Sequence, residues 1–257
     1  MIDLYHVPLP VIFLGGLALI WGVSELGWRL GQDSSDHSTN IGTLESAIVG
    51  LLALIIGFTF AMALSRFEAR RDAVVQEANA IGTTALRARL LPEPHRTESL
   101  KLLREYVKIR IDAFQSGHSL AELKTTVDRS NGIQESLWQQ AMALSAKDKE
   151  VVPTGLFVQS LNQMIDSQGV RLAALRNRIP SIVLVVLYAL AAAAGGFVGY
   201  ASAIDPRLTR LPVVIMGLLI SLVLYLIIDL DRPNNGFITN NQQAMIDVAE
   251  SIQGFAD

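Results

Sequence analysis

Residues 46–71 read Ser46-Ala-Ile-Val-Gly-Leu-Leu-Ala-Leu-Ile-Ile-Gly-Phe-Thr-Phe-Ala-Met-Ala-Leu-Ser65, followed without a break by Arg66-Phe-Glu-Ala-Arg-Arg71. No Asp, Glu, Lys or Arg stands between Glu45 and Arg66. A helix needs about 17 to 25 apolar residues to cross the hydrocarbon core, so this stretch is long enough to span. It has no stop signal. Good helix formers continue past Arg71 with no Gly or Pro before Gly82, which predicts a rod reaching about Leu91, where Pro92 and Pro94 end it.

Three more stretches lack Asp, Glu, Lys and Arg in the same way: Asp3 to Glu25, Arg178 to Asp205 and Arg210 to Asp229. They predict spans over about Leu9–Trp28, Ile179–Ile204 and Leu211–Ile228. One such helix fits inside a soluble core, but four do not. Trp21 and Trp28 suit a membrane interface. A signal peptide is the weaker reading of the first stretch, since no basic n-region precedes it and no small-x-small site follows before Glu25.

Between the second and third spans the pattern is amphipathic. Leu100, Leu103, Val107, Ile111 and Phe114 recur at helical spacing, with Lys101, Arg104, Lys108 and Arg110 mostly elsewhere. A short helix is expected near Ser119–Asp128 and another over Asn131–Leu144. Pro153 interrupts the chain, and a last helix runs through Leu161, Ile165, Leu172 and Leu175. A weak amphipathic helix (Met245, Val248, Ile252) follows the fourth span. No strand pattern occurs, so the expected class is all-α: a polytopic membrane protein with four transmembrane helices and a helical cytoplasmic region between helices two and three. The expected divisions are 1–64 (helices one and two), 65–178 (cytoplasmic, continuous with helix two), 179–230 (helices three and four) and 231–257 (cytoplasmic tail).

Six arginines (Arg66, Arg70, Arg71, Arg171, Arg176, Arg178) flank the large insert, against three (Arg29, Arg207, Arg210) on the other side. The excess places the insert and both termini in the cytoplasm. With no cysteine and four scattered histidines, thiol chemistry is excluded and no metal-ligand spacing appears. No phosphate loop, nucleophile motif or basic aromatic stripe stands out, so no enzyme, cofactor or nucleic-acid partner is expected. No Asp, Glu, Lys, Arg or His lies near the middle of any span, which disfavours a proton-coupled carrier.

Gly57-Phe-Thr-Phe-Ala-Met-Ala-Leu-Ser-Arg-Phe-Glu-Ala-Arg-Arg71, Glu77-Ala-Asn-Ala-Ile-Gly-Thr83, Leu90-Leu-Pro-Glu-Pro94 and Asp229-Leu-Asp-Arg-Pro233 resemble the bestrophin-like domain family of bacterial membrane proteins. The likeness runs from the first helix to the turn after the fourth. It implies the bestrophin layout, in which subunits surround one pore lined by the second helix, and by that likeness an anion channel of five copies in the bacterial inner membrane. A non-conducting scaffold or sensor is the alternative.

Candidate residues follow. Ser46, Gly50, Ala53, Gly57 and Ala61 form a small-residue stripe suited to close helix packing. Ile56, Phe60 and Leu64 are one turn apart; their ordinary role is packing, and their functional one an apolar neck that gates by dewetting. Arg66, Arg70 and Arg71 are interface anchors or, around a pore, an anion-attracting inner mouth. Glu77 and Asn79 are structural or ion-sensing, with Arg104 or Lys108 as partners for Glu77. Asp229, Asp231 and Arg232 pin the turn at Pro233, with a cation site as the lesser reading. Glu25 is expected to pair with Arg29.

Overall fold

Glycine and alanine are dense where the first and third spans would meet: Gly16, Gly27 and Gly31 in one, Ala191 to Gly196 and Gly199 in the other. In lipid such residues let backbones approach, because no hydrophobic force otherwise drives helices together. A computed structural model describes residues 7–32, 40–115, 120–147, 151–204, 211–233 and 236–255. Its helices are α1 (Leu9–Gln32), α2 (Asn40–Ala88), α3 (His95–Gln115), α4 (Leu120–Lys147), α5 (Val151–Arg176), α6 (Ser181–Ile204), α7 (Leu211–Asp231) and α8 (Gln243–Gln253). No strand occurs among the described residues. Four helical stretches are long and apolar enough to cross a membrane. The predicted loops over 33–39 and 205–210, the helix start at Ser119 and the side chain of Phe114 lie outside the described residues.

The chain divides into two compact units. The first comprises Met1–Phe67, Arg178–Arg232 and Gly236–Ile238. Here α1 packs on α6 and α7, and the α1–α6 seam is closed by backbone. A methyl group added at Gly27 would lie 2.0 Å from the Gly196 carbonyl oxygen, and one at Gly199 2.1 Å from that of Ser24. A methyl group at Gly31 would lie 2.7 Å from the Tyr200 carbonyl oxygen. Ile20, Leu184, Leu187, Leu224 and Ile227 fill the core. Large apolar side chains from all four spans face outward, among them Leu14, Phe58, Ile182 and Leu219. A surface of that kind is stable only against lipid or protein.

The second unit comprises Glu68–Asn177, Pro233–Asn235 and Thr239–Asp257. Leu100, Leu103 and Val107 of α3 meet Leu137 and Leu144 of α4 and Leu161 and Met164 of α5 in one apolar core. The segment expected as a tail is part of that core: Met245 and Ile252 of α8 are buried. Arg104 donates to the Phe255 carbonyl at 2.8 Å, and Arg89 lies 4.6 Å over the Phe255 ring.

Three local expectations change. The two helices foreseen on either side of residue 130 are one, α4. Its buried stripe of Leu144, Ala141, Leu137 and Ile133 continues back to Ser130, and that packing offsets the roughly 1 kcal/mol of an interior Gly132. Pro153 does not interrupt: it is the third residue of α5, in the first turn, where its missing N–H leaves no helical bond unmade. The fourth span runs on to Asp231, so both aspartates end a helix and do not sit in a turn.

Candidate functional site

Helix α2 has one covered side and one bare side. Leu52, Thr59, Ala63, Arg70, Glu77, Ile81, Thr84 and Ala88 are buried, and their spacing of three, four or seven makes them a single stripe. The opposite side carries Ser46, Gly50, Ala53, Gly57 and Ala61, all exposed. A methyl group added at Gly50 or Gly57 would meet nothing within 4 Å. Among the described residues, the small-residue stripe therefore meets no other helix at Gly50 or Gly57. Close packing within the chain occurs at α1 and α6 instead.

The expected neck divides. Ile56 and Phe60 pack against the first unit's own core, whereas Leu64 is exposed. The two most exposed large apolar side chains of this span are Leu54 and Phe58, 55% and 66% exposed.

The three arginines also separate. Arg66 is half-buried, 3.8 Å from Asp231. Arg70 is 1% exposed. Arg71 alone is exposed, between exposed Glu68 and Asp72. The described part of Asp229-Leu-Asp-Arg-Pro233 acts as a pin. Asp229 accepts from the Phe237 and Ile238 amides at 2.9 and 3.0 Å. Asp231 accepts from the Ile179 amide at 2.9 Å, and Arg232 donates to the Val7 carbonyl. These carboxylates are engaged by backbone donors, and no group of three or more possible metal ligands occurs among the described residues.

Glu77 and Asn79 part company: Asn79 is exposed, and Glu77 is wholly buried at the centre of a polar knot. Arg171 donates to its Oε2 at 2.6 Å, and Arg110 to the same oxygen at 3.1 Å. Arg110 Nε lies 2.8 Å from Oε1, a charge contact off the hydrogen-bond direction. The Tyr106 hydroxyl sits 3.0 Å from Glu77 Oε1 and 2.8 Å from Gln168 Oε1, so its one proton serves one acceptor at a time. Gln134 donates to Gln168, Gln168 to Asn131, and Arg171 to Gln242. Burial pushes the Glu77 carboxyl up, but the charges of Arg110 and Arg171 outweigh it and hold the group below the usual carboxylate range. Burial, aided by the Glu77 charge, pushes the Tyr106 phenol up. Burial pushes the Arg171 guanidinium down against the pull of Glu77.

Arg110 and Arg171 stand where Arg104 or Lys108 was expected. Arg104 is spent on the end of α8. Arg110 carried a signal, since it follows Tyr106 by four and Leu103 by seven on the buried stripe of α3. Arg171 carried none: it reads as a membrane-flanking cation.

A four-span helical membrane protein whose second span runs on into a polar-knotted helical unit is a restricted class. The bestrophin-like domain matches residues 11–245, and the chain belongs to that family. Its fold is similar to crystal structures of a bacterial bestrophin homologue from Klebsiella pneumoniae. A point mutant of it superposes with a TM-score of 0.68 at 15% identity, covering 95% of this chain and 97% of that one. The form phased on zinc gives 0.66 at 14%, covering 96% of both. A further crystal structure, of a mutant membrane protein, gives 0.69 at 16%, covering 96% and 99%. No curated protein matches the sequence.

Proposed function

We propose that the chain is one subunit of an oligomeric ion channel of the bacterial inner membrane, with its path along the bare side of α2. The observation that carries this is the uncovered small-residue stripe at Gly50 and Gly57. In lipid, small residues at four-residue spacing favour close approach to another helix, and among the described residues none lies within 4 Å of a methyl added at Gly50 or Gly57. Copies related by closed rotation bring the stripes together around an axis, in the five-fold arrangement that the bestrophin likeness implies. Leu54 and Phe58 then supply the apolar neck in place of Ile56 and Phe60, which their own chain covers.

The sign of the mouth changes too. Arg66 and Arg70 are withdrawn from the bare side, leaving Glu68, Arg71 and Asp72 in each copy, one net negative charge. A ring of such charge draws cations, so cation preference replaces the anion preference that three free arginines would give.

Single-channel recording in a planar bilayer tests both statements. Phe58→Ala increases current by hydrating the neck, and Phe60→Ala mainly lowers stability. Glu68→Lys with Asp72→Lys moves the reversal potential toward that of the anion. Absence of current from a monodisperse oligomer would remove the channel and favour the scaffold. For the cytoplasmic placement of the insert, a cysteine at Ser145 reacts with an impermeant reagent only after permeabilisation, and one at Ser35 reacts from outside; the reverse pattern overturns it.

A further inference from the structure

Beyond the end of α7 the chain comes back onto the first unit. Gly236–Ile238 belong to that unit, and the Phe237 and Ile238 amides each donate to one oxygen of Asp229, at 2.9 and 3.0 Å. The turn requires glycine before them, since a methyl group at Gly236 would lie 2.2 Å from Asp229 Oδ1. The two side chains then part. Ile238 packs on the first unit's core, whereas Phe237 is 83% exposed.

The Phe237 ring is turned back along α7. Its amide is held by Asp229, but the ring lies 6.3 Å from that of Tyr225, one turn further into the span. A tyrosine on a helix leans toward the N-terminal end, which carries the meeting point deeper still. Tyr225 in turn meets the edge of Phe13 of α1 at 6.0 Å. Asp229, Asp231 and Arg232 mark where the apolar run ends. Phe237 thus stands at the water boundary with its ring on the apolar side.

The surface it joins shows what covers it. Leu211, Ile215, Leu218 and Leu222 are exposed, and with Tyr225 they follow steps of four and three along one face of α7. Helix contacts in lipid favour small residues, as at the α1–α6 seam. This stripe is bulky and uncharged, so acyl chains are the neighbour it fits. The Phe237 ring extends it to the boundary, where aromatic side chains settle. We infer that Phe237 is a lipid anchor: held outward by Asp229, it lies at the headgroup–acyl boundary and fixes the depth of α7. The inference rests on the membrane spans and is independent of conduction and of which face is cytoplasmic.

Because the sequence has no cysteine, Phe237→Cys carries a single nitroxide in the full-length protein, reconstituted in vesicles of phosphatidylethanolamine and phosphatidylglycerol. Oxygen concentrates in hydrocarbon and a nickel chelate in water, so the ratio of their collision rates reads depth. The ratio for Phe237→Cys should exceed that for Thr239→Cys, an exposed position, several-fold and approach that for Leu222→Cys. A ratio equal to that of Thr239→Cys would put the side chain in water, and low collision with both reagents would put it under a second copy. Either result overturns the inference. Phe237→Trp checks it without the label. Lipid brominated high in the acyl chain should quench the emission gained over the parent more than lipid brominated near the chain end. Stronger quenching by the second lipid, or by neither, overturns it too.

Discussion

The two units reach a defined packing by opposite means. In the first, specificity comes from what is missing: α1 and α6 touch through glycine, and a side chain at Gly27 or Gly199 would begin 2.0 or 2.1 Å from a carbonyl oxygen. In the second, it comes from what is buried: Glu77, Tyr106, Arg110, Gln134, Gln168 and Arg171 form a knot tying α2, α3, α4 and α5 together. A lipid-embedded helix pair gains little from burying more carbon, so proximity decides. A helical unit with an apolar core already has cohesion, and directional polar contacts fix its arrangement.

This contrast breaks most readily at Glu77. Glu77→Gln leaves two guanidiniums buried without their carboxylate, and loss of one partner of a buried ion cluster costs about 3 to 5 kcal/mol. The thermal midpoint of the detergent-solubilised protein should fall accordingly, and a variant as stable as the parent would show that the knot is incidental. Next comes Gly27→Ala, which overpacks the seam for about 1 to 3 kcal/mol. Gly57→Ala is its control. With nothing near its added methyl, helix propensity gains up to about 1 kcal/mol within the chain. Any loss then appears only in the oligomer, read by its mass in mild detergent.

Acid sharpens the comparison further. The Glu77 carboxyl titrates lower in the fold than in the unfolded chain, so its contribution is complete above the unfolded value of about 4.3 and is lost as pH falls through the folded one. The parent should lose stability below about pH 4, and Glu77→Gln should lose less over the same range. Smallest is Arg29→Gln: its exposed pair with Glu25, four residues away on α1, contributes about 0.3 to 0.5 kcal/mol. A loss above 1 kcal/mol would mean that the membrane unit also relies on charge.

The spans were legible because lipid imposes long uncharged runs, and the rod of α2 because nothing in Arg66 to Ile81 stops a helix. The packing stripe on α2 was legible, but not which neighbour it would meet, for a physical reason. Four-residue spacing of small residues marks a helix able to approach another, but not whether that neighbour belongs to the same chain. Ile56 and Phe60 have the same ambiguity, since apolar side chains in a span suit lipid, protein and pore alike. The knot was half hidden: Glu77 stood out on its rod, but Arg171 is sequence-distant and resembles an interface anchor. Pairing across such a separation leaves no local pattern.

The placement of α8 has a consequence for biosynthesis. The second unit is assembled from residues that straddle α6 and α7 in the chain, so its core stays incomplete until both spans have left the ribosome. Until then Gln242 is absent from Arg171, and the Met245 and Ile252 positions beside α3 are empty. Insertion of the third and fourth spans thus precedes closure of the helical unit. The carboxylate at Glu77 can gather its two arginines earlier, holding α2, α3 and α5 in register while the membrane half is still being made.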